Sequence, residues 1–518
     1  MPNPPASSIA DVRYLVTAEE AYPAFEEAVM DARAEVIAGF RIFDFSTRLR
    51  SPRAQRIGRD WFDLLLDALR RGVRIEITLS DFDPVVGEGL HAQTWRSLRV
   101  AAALAEVMPR DADLTVRAAM HPARLTPVGR VLLWPRVQMM LGKRVGQLNR
   151  LAPEGRHLLL RDRPLLARQI RKAGNDLAVI RRRLPDLAPV THHQKVAVID
   201  RRVLYCGGLD LNERRFDTKA HDRPAEQTWH DVQVLIHDPE VAEAARAHLR
   251  EFVGVTHRDC APRTPDGVTL RTISGRARKG WRLMLTRRVL TEIETEVLGG
   301  IAEARTMIYI ETQFLRDRRV ARALARAARR WPSLQLFIVL PAAPEDVAFE
   351  KSDRSDARFG EFLQARCVAT IRRAFGRRCL IASPVQPTRS KSKGRDSLFG
   401  SPVVYVHSKV CIFDDRTAIL SSANLNGRSL RMDTEFGVHL RGAKSVLALR
   451  ERLLAHWLAA GKHVDGSGTD IDLAEWQRRI RRNASAQPDQ REGFLVPYLS
   501  KPGERFGQDL PGVPEDIV

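Results

Sequence analysis

The sequence predicts an α/β protein built from two copies of one unit. Three observations lead to this prediction: helix-like and strand-like segments alternate, the alternation returns in the second half, and a histidine, lysine and aspartate motif occurs twice. The chain has 518 residues, of which 44% are apolar, so it can bury more than one hydrophobic core. Wholesale disorder is thereby excluded.

The first half begins with a β-α-β pattern. A helical face of apolar residues ends at Ala32, and a β-favouring segment covers residues 36–45. A second helical face covers residues 61–69, and Gly72 follows where a C-cap would lie. Alternating apolar residues over 73–79 then predict a strand.

The second half repeats this order after residue 285. Apolar residues spaced by four from Val289 to Ile301 predict a helix, which leads into the strand-like sequence MIYIETQFL. An Ala- and Arg-rich helical segment over 320–330 precedes the apolar run 334–340. Matching order in two halves indicates an internal duplication.

An alignment without gaps supports the duplication. HHQKVAVIDRRVLYCGGLDLNERRFD matches VHSKVCIFDDRTAILSSANLNGRSLR with an offset of 407 − 193 = 214 residues. The identical pairs include His193 with His407, Lys195 with Lys409, Asp200 with Asp414, Leu211 with Leu425, Asn212 with Asn426 and Arg214 with Arg428.

Two segments fall outside the repeated pattern. Residues 141–190 contain twelve Lys and Arg against four Asp and Glu, interleaved with leucines and interrupted by Pro153, Pro164 and Pro185. This composition suits a solvated helical hairpin or a basic surface that binds anionic phosphates. After about residue 462 the chain is rich in Gly, Pro and Asp, which predicts an extension with one short helix near Trp476.

Composition excludes several classes of protein. No run of about 18 apolar residues would span a membrane, and no signal-peptide pattern opens the chain, so an intracellular start is expected. The five cysteines form no C-x-x-C pair, which argues against a disulfide framework or a thiolate zinc site. The net charge of +21 favours polyanionic partners, namely nucleic acid, an anionic membrane surface or phosphorylated substrates.

Each repeat contains H-x-K-x-x-x-x-D, the candidate catalytic set His193, Lys195, Asp200, His407, Lys409 and Asp414. The β-branched surroundings predict strands, in which residues i and i+2 share a face. A pseudo-two-fold axis would bring both His-Lys pairs into one pocket. Such a cluster of cations suits a phosphodiester: one histidine attacks phosphorus, the other protonates the leaving oxygen, and the lysines neutralise charge.

Further residues are expected to support the histidines and the phosphate. Asp231 and Glu435 each open a strand-like stretch and are candidate partners for the second ring nitrogen of a catalytic histidine. The expected phosphate donors are small and amide residues near the motifs: Gly207, Gly208, Ser421, Ser422 and Asn424. Asp210 stands where the second copy has Asn424, so the two sides of the pocket are predicted to differ.

No metal or other cofactor is expected. The sequence has no dense carboxylate cluster for magnesium or calcium and no Walker phosphate loop. His192, His221 and His230 have no matching histidine in the second copy, which favours structural or peripheral roles.

These residues resemble the phospholipase D superfamily, whose hallmark is the duplicated motif. HHQKVAVID, GGLDLNERRFDT and TWHDV in the first half, and IYIETQF, VYVHSKVCIFDD and SSANLNGRS in the second, are most similar to phospholipases D proper. The resemblance covers most of residues 10–460. It implies two pseudo-symmetric α-β-α sandwich lobes with the active site at their interface, a phosphohistidine intermediate and no metal dependence. It also implies that His193 is the nucleophile and His407 the general acid.

The implied function is hydrolysis of a glycerophospholipid such as phosphatidylcholine to phosphatidic acid and free alcohol, or transfer to another alcohol. The expected domains are an N-terminal lobe over 10–265 with a basic insertion at about 120–190, a C-terminal lobe over 266–462 and an extension over 463–518. The regulatory lipid-binding modules of eukaryotic relatives would not fit ahead of Val12, so the resemblance is to a compact bacterial-type enzyme. The expected partner is phospholipid at a membrane surface, and the chain is expected to be a monomer. The expected location is cytoplasmic or peripheral to a membrane, and secretion by a non-standard route stays open.

Three alternatives stay open. A phosphatidyltransferase of the cardiolipin synthase type would use the same chemistry with a lipid hydroxyl as acceptor. A nuclease of the same superfamily would suit the net charge, but 8 Trp, 6 Tyr and 19 Phe leave few stacking platforms for bases. A scaffold that binds phosphates without turnover is disfavoured because both motifs are intact.

Overall fold

The computed structural model describes residues 11–181, 184, 186–277, 284–458 and 472–517. Pro185 and residues 463–471 of the predicted extension lie outside these ranges. The first half supplies these strands and helices: β1 (Val12–Val16), α1 (Thr17–Met30), β2 (Glu35–Phe40), α2 (Trp61–Arg70), β3 (Arg74–Asp81), α3 (Glu88–Val107), β4 (Leu114–Met120), β5 (Arg124–Leu125), α4 (Pro127–Asn149), α5 (Pro153–Arg161), α6 (Pro164–Ala167), β6 (Ile170–Ala173), β7 (Asp176–Val179), β8 (Lys195–Ile199), β9 (Val203–Gly207), β10 (Val232–His237) and α7 (Pro239–His257).

The second half supplies a similar series. Its strands and helices are β11 (Thr269–Arg276), β12 (Met284–Thr291), α8 (Glu292–Glu303), β13 (Met307–Thr312), α9 (Arg318–Arg330), β14 (Gln335–Val339), α10 (Glu345–Ala348), α11 (Ser355–Phe375), β15 (Cys379–Pro384), β16 (Ser397–Leu398), β17 (Ser401–Pro402), β18 (Lys409–Phe413), β19 (Thr417–Ser421), α12 (Gly427–Arg431), β20 (Glu435–Arg441), α13 (Ala443–Leu458), α14 (Leu473–Ser485), β21 (Leu495–Pro497) and α15 (Lys501–Phe506).

The two large sheets share one topology. The first has the order β1-β10-β9-β8-β2-β3-β4, and the second contains β11-β20-β19-β18-β13-β14-β15 as its central seven strands. Corresponding strands pair in the same sense, antiparallel for β8 with β2 and for β18 with β13, parallel for β2 with β3 and for β13 with β14. The fold class predicted from the sequence, α/β with two similar lobes, is confirmed.

Helices and sheets alternate in five layers. Apolar residues of α1, α2 and α3 pack on one face of the first sheet, and those of α8, α9 and α11 pack on the outer face of the second. Between the sheets, α7 and α13 lie in one continuous core that contacts both inner faces. The lobes are therefore joined by buried apolar contact.

Strands and loops also cross between the halves. β5, from the first half, pairs with β12 and extends the second sheet at one edge, while β21 extends it at the other. The tail after residue 472 contributes α14, around the predicted position of Trp476, together with β21 and α15.

The structure corrects two boundaries and one element type. Val289 lies in β12, and the helix predicted from it begins at Glu292. The strand predicted over 36–45 ends at Phe40. The segment 141–190 is only partly helical, because β6 and β7 form a hairpin around Gly174, whose φ is +64°.

No helix among the described residues is long and apolar enough to cross a membrane.

Asp200 and Asp414 occupy equivalent hairpin turns. Each is the first of two consecutive residues with φ of 50° and 55°, as in the tight turns that match the twist of a β-hairpin. The Asp200 carboxylate accepts backbone N–H bonds from Arg33, Ala34 and Glu35 at 2.7–2.9 Å. Asp414 accepts the corresponding bonds from residues 305–307 at 2.6–2.9 Å. Each aspartate thus fixes the hairpin to the start of the neighbouring strand.

Removal of this interaction is expected to destabilise the fold. Asp414→Ala leaves three backbone N–H groups without their charged acceptor, so we predict a loss of about 2–4 kcal/mol in the free energy of unfolding. Chemical denaturation measures this loss. Asp111→Ala, at an exposed turn, is the matched control and should change stability by less than about 0.5 kcal/mol. Equal stabilities of the two variants would contradict the prediction.

Candidate active site

The two motif histidines exchange carboxylate partners between the halves. His193 lies two residues before β8, and its Nδ1 is 2.9 Å from Oε2 of Glu435 in the second half. His407 lies two residues before β18, and its Nδ1 is 2.6 Å from Oδ2 of Asp231 in the first half. Nε2 of each ring is therefore left to face a ligand. Neither half contains a complete histidine and carboxylate pair by itself.

The backbone repeats this exchange. His193 N–H donates to the carbonyl oxygen of Thr434 at 2.7 Å, and His407 N–H donates to the carbonyl oxygen of His230 at 2.7 Å. Thr434 and His230 directly precede Glu435 and Asp231 in the sequence. Each histidine is consequently fixed by main-chain and side-chain bonds to the same segment of the opposite half.

Both motif lysines are buried beside the histidines. Lys195 Nζ donates to the carbonyl oxygen of His193 at 2.5 Å and lies 3.9 Å from Oδ1 of Asp210. Lys409 Nζ donates to the carbonyl oxygen of His407 and lies 2.8 Å from Nδ1 of its ring. Each histidine is thus held next to the lysine that was predicted to share its strand face. Only the lysine of each pair lies in a strand, because the strand begins at that residue.

Burial and mutual repulsion disfavour positive charge in this cluster. Burial lowers the pKa of both histidines well below 6.5, with further lowering from Lys195 for His193 and from Lys409 for His407. Lys195 and His193 also lower the pKa of His407, so the motifs share one electrostatic environment. Burial lowers the pKa of Lys409 to about 7, against the opposing effect of Asp231.

The carboxylates experience the opposite effect. Burial raises the pKa of Glu435 to about 8, and Lys195 opposes this increase. Burial also raises the pKa of Asp231, against Lys409. Burial thus disfavours the charged forms of both histidines, both lysines, Asp231 and Glu435, and a bound anion would favour the cationic forms of the lysines and of His407.

The residues predicted as phosphate donors have other partners. Ser422 Oγ donates to Oε2 of Glu435 at 2.5 Å. A Cβ added to Gly208 would lie 2.3 Å from Oδ1 of Asp231, so this glycine makes room for the carboxylate. Gly207 has a φ of +155°, and a Cβ at this position would collide with the side chain of Gln233. Asn424 Nδ2 donates to Oε1 of Gln313 at 3.1 Å.

Asp200 and Asp414 are separated from the cluster. Asp200 and Asp414 terminate the strands that begin with the motif lysines, about 16 Å away at 3.3 Å per residue. Their carboxylates contact backbone N–H groups and not the histidines, and a catalytic role for them stays a prediction. Asp210 and Asn424, at equivalent positions, differ as expected: Asp210 accepts from the backbone N–H of Ile42 at 3.0 Å and lies near Lys195.

Four residues near the histidines were missed from the sequence. The guanidinium groups of Arg41 and Arg428 lower the pKa of His193, and that of Arg215 lowers the pKa of His407. The ring of Trp229 lies 4.5 Å from that of His407 and 3.7 Å from the Arg215 guanidinium. Arg428 could have been found from the sequence because it matches Arg214 in the alignment of the two halves. Trp229 could have been found because it directly precedes His230 and Asp231. No feature of the sequence indicated Arg41.

A buried group of histidines lies behind His407. His221, His230 and His456 have ring nitrogens within 4.8 Å of one another and form the candidate metal-binding group found among the described residues. Both nitrogens of His221 have protein partners, Asp217 at 2.6 Å and His456 at 3.0 Å, whereas Nδ1 of His230 is buried without a hydrogen-bond partner. His230 contacts Glu311 at 3.0 Å, whose carboxylate also accepts from Ser408 at 2.6 Å. This network supports the segment that carries His407.

Known proteins share the sequence of the second half. Residues 297–457 match the family model described as cardiolipin synthase, PLD-like domain. This range includes His407, Lys409 and Glu435.

Curated relatives are phospholipases D. The chain is 24% identical over 326 residues to phospholipase D A of Dictyostelium discoideum, with 50% of this chain and 25% of that protein covered. It is 23% identical over 347 residues to phospholipase D1 of Schizosaccharomyces pombe, with 49% and 25% covered. It is also 24% identical over 391 residues to phospholipase D alpha 4 of Arabidopsis thaliana, with 55% and 50% covered. The matches thus span a quarter to a half of these relatives.

A solved structure shares the fold over nearly the whole chain. Phosphatidylserine synthase of Haemophilus influenzae Rd KW20 matches with a TM-score of 0.52 and 11% identity, covering 93% of this chain and 95% of that one. The sequence relatives, the family model and the duplicated fold agree, and the chain belongs to the phospholipase D superfamily.

Proposed function

We propose that the chain is a phosphodiesterase of the phospholipase D type. It hydrolyses a glycerophospholipid such as phosphatidylcholine to phosphatidic acid and free alcohol. The observation that carries this proposal is the reciprocal pairing of His193 with Glu435 and of His407 with Asp231, beside two buried lysines. Two positioned imidazoles and two ammonium groups provide what a phosphodiester substitution needs.

In the proposed first step, Nε2 of His193 attacks phosphorus and the bond to the alcohol oxygen breaks. Burial keeps the attacking ring neutral, and Glu435 holds the proton on Nδ1 and stabilises the phosphohistidine that forms. His407, which takes up a proton on Nε2 when the anionic substrate binds, donates that proton to the departing alkoxide. Lys195 and Lys409 neutralise the charge on the phosphoryl oxygens.

In the second step, His407 accepts a proton from water as the water oxygen attacks phosphorus. The bond to His193 then breaks and phosphatidic acid is released. An alcohol in place of water gives transfer instead of hydrolysis, by the same proton movements. The difference in accessibility favours His193 as nucleophile, since its side chain is 12% exposed and that of His407 is 5% exposed.

A phosphatidyltransferase is the second candidate. The matched family model carries the name cardiolipin synthase, and the chemistry differs only in the acceptor. Product analysis with phosphatidylglycerol present would separate the two: a diphosphatidyl product favours the transferase, whereas phosphatidic acid as main product favours the hydrolase.

Labelled phosphatidylcholine with excess primary alcohol tests the function. Wild-type protein should release choline and form phosphatidic acid and the phosphatidyl alcohol. His193→Ala and His407→Ala should each lower the rate by at least about 10³-fold, because both steps need both rings. Asp111→Ala should retain wild-type turnover. Full turnover by His193→Ala would contradict the proposal.

A nitrophenyl phosphodiester tests the two histidine roles. Nitrophenolate leaves without a proton, so His407→Ala should release about one equivalent rapidly and then stall as a phosphoenzyme, while His193→Ala should give no burst. Stopped-flow absorbance and intact-mass analysis measure the burst and the adduct. A burst from His193→Ala with none from His407→Ala would exchange the roles.

The affinity for inorganic phosphate should depend on pH through Lys409. The free ammonium has a pKa of about 7, and a bound anion raises this pKa, so binding above pH 7 takes up a proton. Affinity should therefore fall by up to about tenfold per pH unit above pH 7 until the pKa of the complex is reached. Calorimetry in buffers of different ionisation enthalpy measures the uptake.

Lys409→Arg provides the control for this pH dependence, because a guanidinium stays charged. The decrease that starts near pH 7 should be reduced in this variant. An identical pH profile in the wild type and in Lys409→Arg would assign the proton to another group.

A further inference from the structure

Helix α4 exposes a stripe of large apolar side chains. Val128, Leu132 and Met139 are 62%, 65% and 67% exposed, and Val131 is 57% exposed. With Pro135, these residues follow the i, i+3, i+4, i+7 and i+11 spacing of one helical face. We call this set the α4 stripe. Contiguous exposed apolar surface of this kind marks an interaction site.

The stripe is not the face by which α4 packs on the protein. Val137, Leu141, Val145 and Leu148 form the buried face of the helix. Val137 and Leu141 pack in a cluster with Leu125, Met284 and Met432. At 100° per residue, this buried face lies opposite the stripe. The outer surface of α4 is thus apolar without a packing role in the fold.

The stripe lies at the edge of the sheets that carries the active site. β4 is parallel to β2 and β3, and Lys195 pairs with the carboxyl end of β2, so α4 starts at the same sheet edge as His193. Arg136 donates to Oγ of Ser355 in the second half at 3.2 Å. Met432, three residues before Glu435, packs under α4. The helix therefore contacts both halves beside the pocket.

Basic residues flank the stripe. Arg136 and Lys143 are exposed and follow Leu132 and Met139 by four residues, which places them beside the stripe on the helix surface. Exposed Arg150 continues this side at the end of the helix. Large apolar side chains beside Lys and Arg are the pattern of a helix that lies in the interface of an anionic bilayer.

We propose that the α4 stripe docks the protein on an anionic phospholipid bilayer, with α4 parallel to the membrane plane and the active-site edge towards the lipid. The proposal rests on the proposed function, which requires a substrate embedded in that bilayer. It assigns the membrane contact to residues 128–139, with electrostatic support from Arg136 and Lys143.

Vesicle sedimentation of the full chain tests this surface. Leu132→Asp should bind vesicles of phosphatidylcholine and phosphatidylglycerol at least about tenfold more weakly than the wild type, because a charge enters the apolar contact. Lys143→Glu should weaken binding to these vesicles by about fivefold or more, and leave binding to pure phosphatidylcholine unchanged.

The matched control is Val107→Asp. Val107 is 54% exposed at the end of α3, just before the start of β4, and thus lies at the opposite edge of the sheet. This variant should bind vesicles like the wild type. Both aspartate variants should hydrolyse a short-chain phospholipid, kept below its critical micelle concentration, at the wild-type rate.

Several results would overturn the proposal. One is wild-type vesicle binding by Leu132→Asp, and another is an equal loss in Val107→Asp. A dimer seen by ultracentrifugation that Leu132→Asp dissociates, with vesicle binding unchanged, would assign the stripe to a second copy of the chain. If the wild type cleaves no phospholipid while binding still depends on Leu132, the proposed function fails and the docking surface stands.

Discussion

The reciprocal exchange of carboxylates between the two motif histidines is the interaction on which the site depends. His193 is held by Thr434 and Glu435, and His407 by His230 and Asp231, so each half completes the pocket of the other. The shared core between the sheets keeps these segments in contact. A shift of one lobe against the other would break main-chain and side-chain bonds at both histidines together. The duplicated fold therefore provides a rigid two-sided site.

The site contains more ionisable groups than a stable core would normally hold. Two lysines, His407 and two carboxylic acids are buried there beside the partly buried His193, and loss of one partner of a buried charge pair typically costs about 3–5 kcal/mol. The pKa of Lys409 is lowered to about 7 and that of Glu435 is raised to about 8, both by burial. Burial therefore disfavours both the ammonium form of Lys409 and the carboxylate form of Glu435.

Much of the fold and of the site could be predicted from the sequence, since the signals were local or repeated. Periodicity located α1, α2, β3 and α9, and the two motif copies identified the histidines and lysines. The exchange of carboxylates could not be predicted, because Asp231 and Glu435 contact residues 176 and 242 positions away. Asp200 and Asp414 share the motif for a different reason: they accept N–H bonds in positive-φ turns. Arg41 approaches His193 only through the pairing of β2 with β8.

Nδ1 of each motif histidine bonds a carboxylate, but the residues that accommodate this carboxylate differ between the two sides of the site. The shorter Asp231 stands against Gly208, where any side chain would collide with its carboxylate, while the longer Glu435 accepts an additional bond from Ser422 at the equivalent position. Asp231 therefore requires Gly208 as its neighbour, whereas Glu435 is paired with Ser422. Trp229 and Arg215 surround His407, whereas Arg41 and Arg428 lie near His193. The two halves share one fold, and yet they place their histidines in chemically different surroundings.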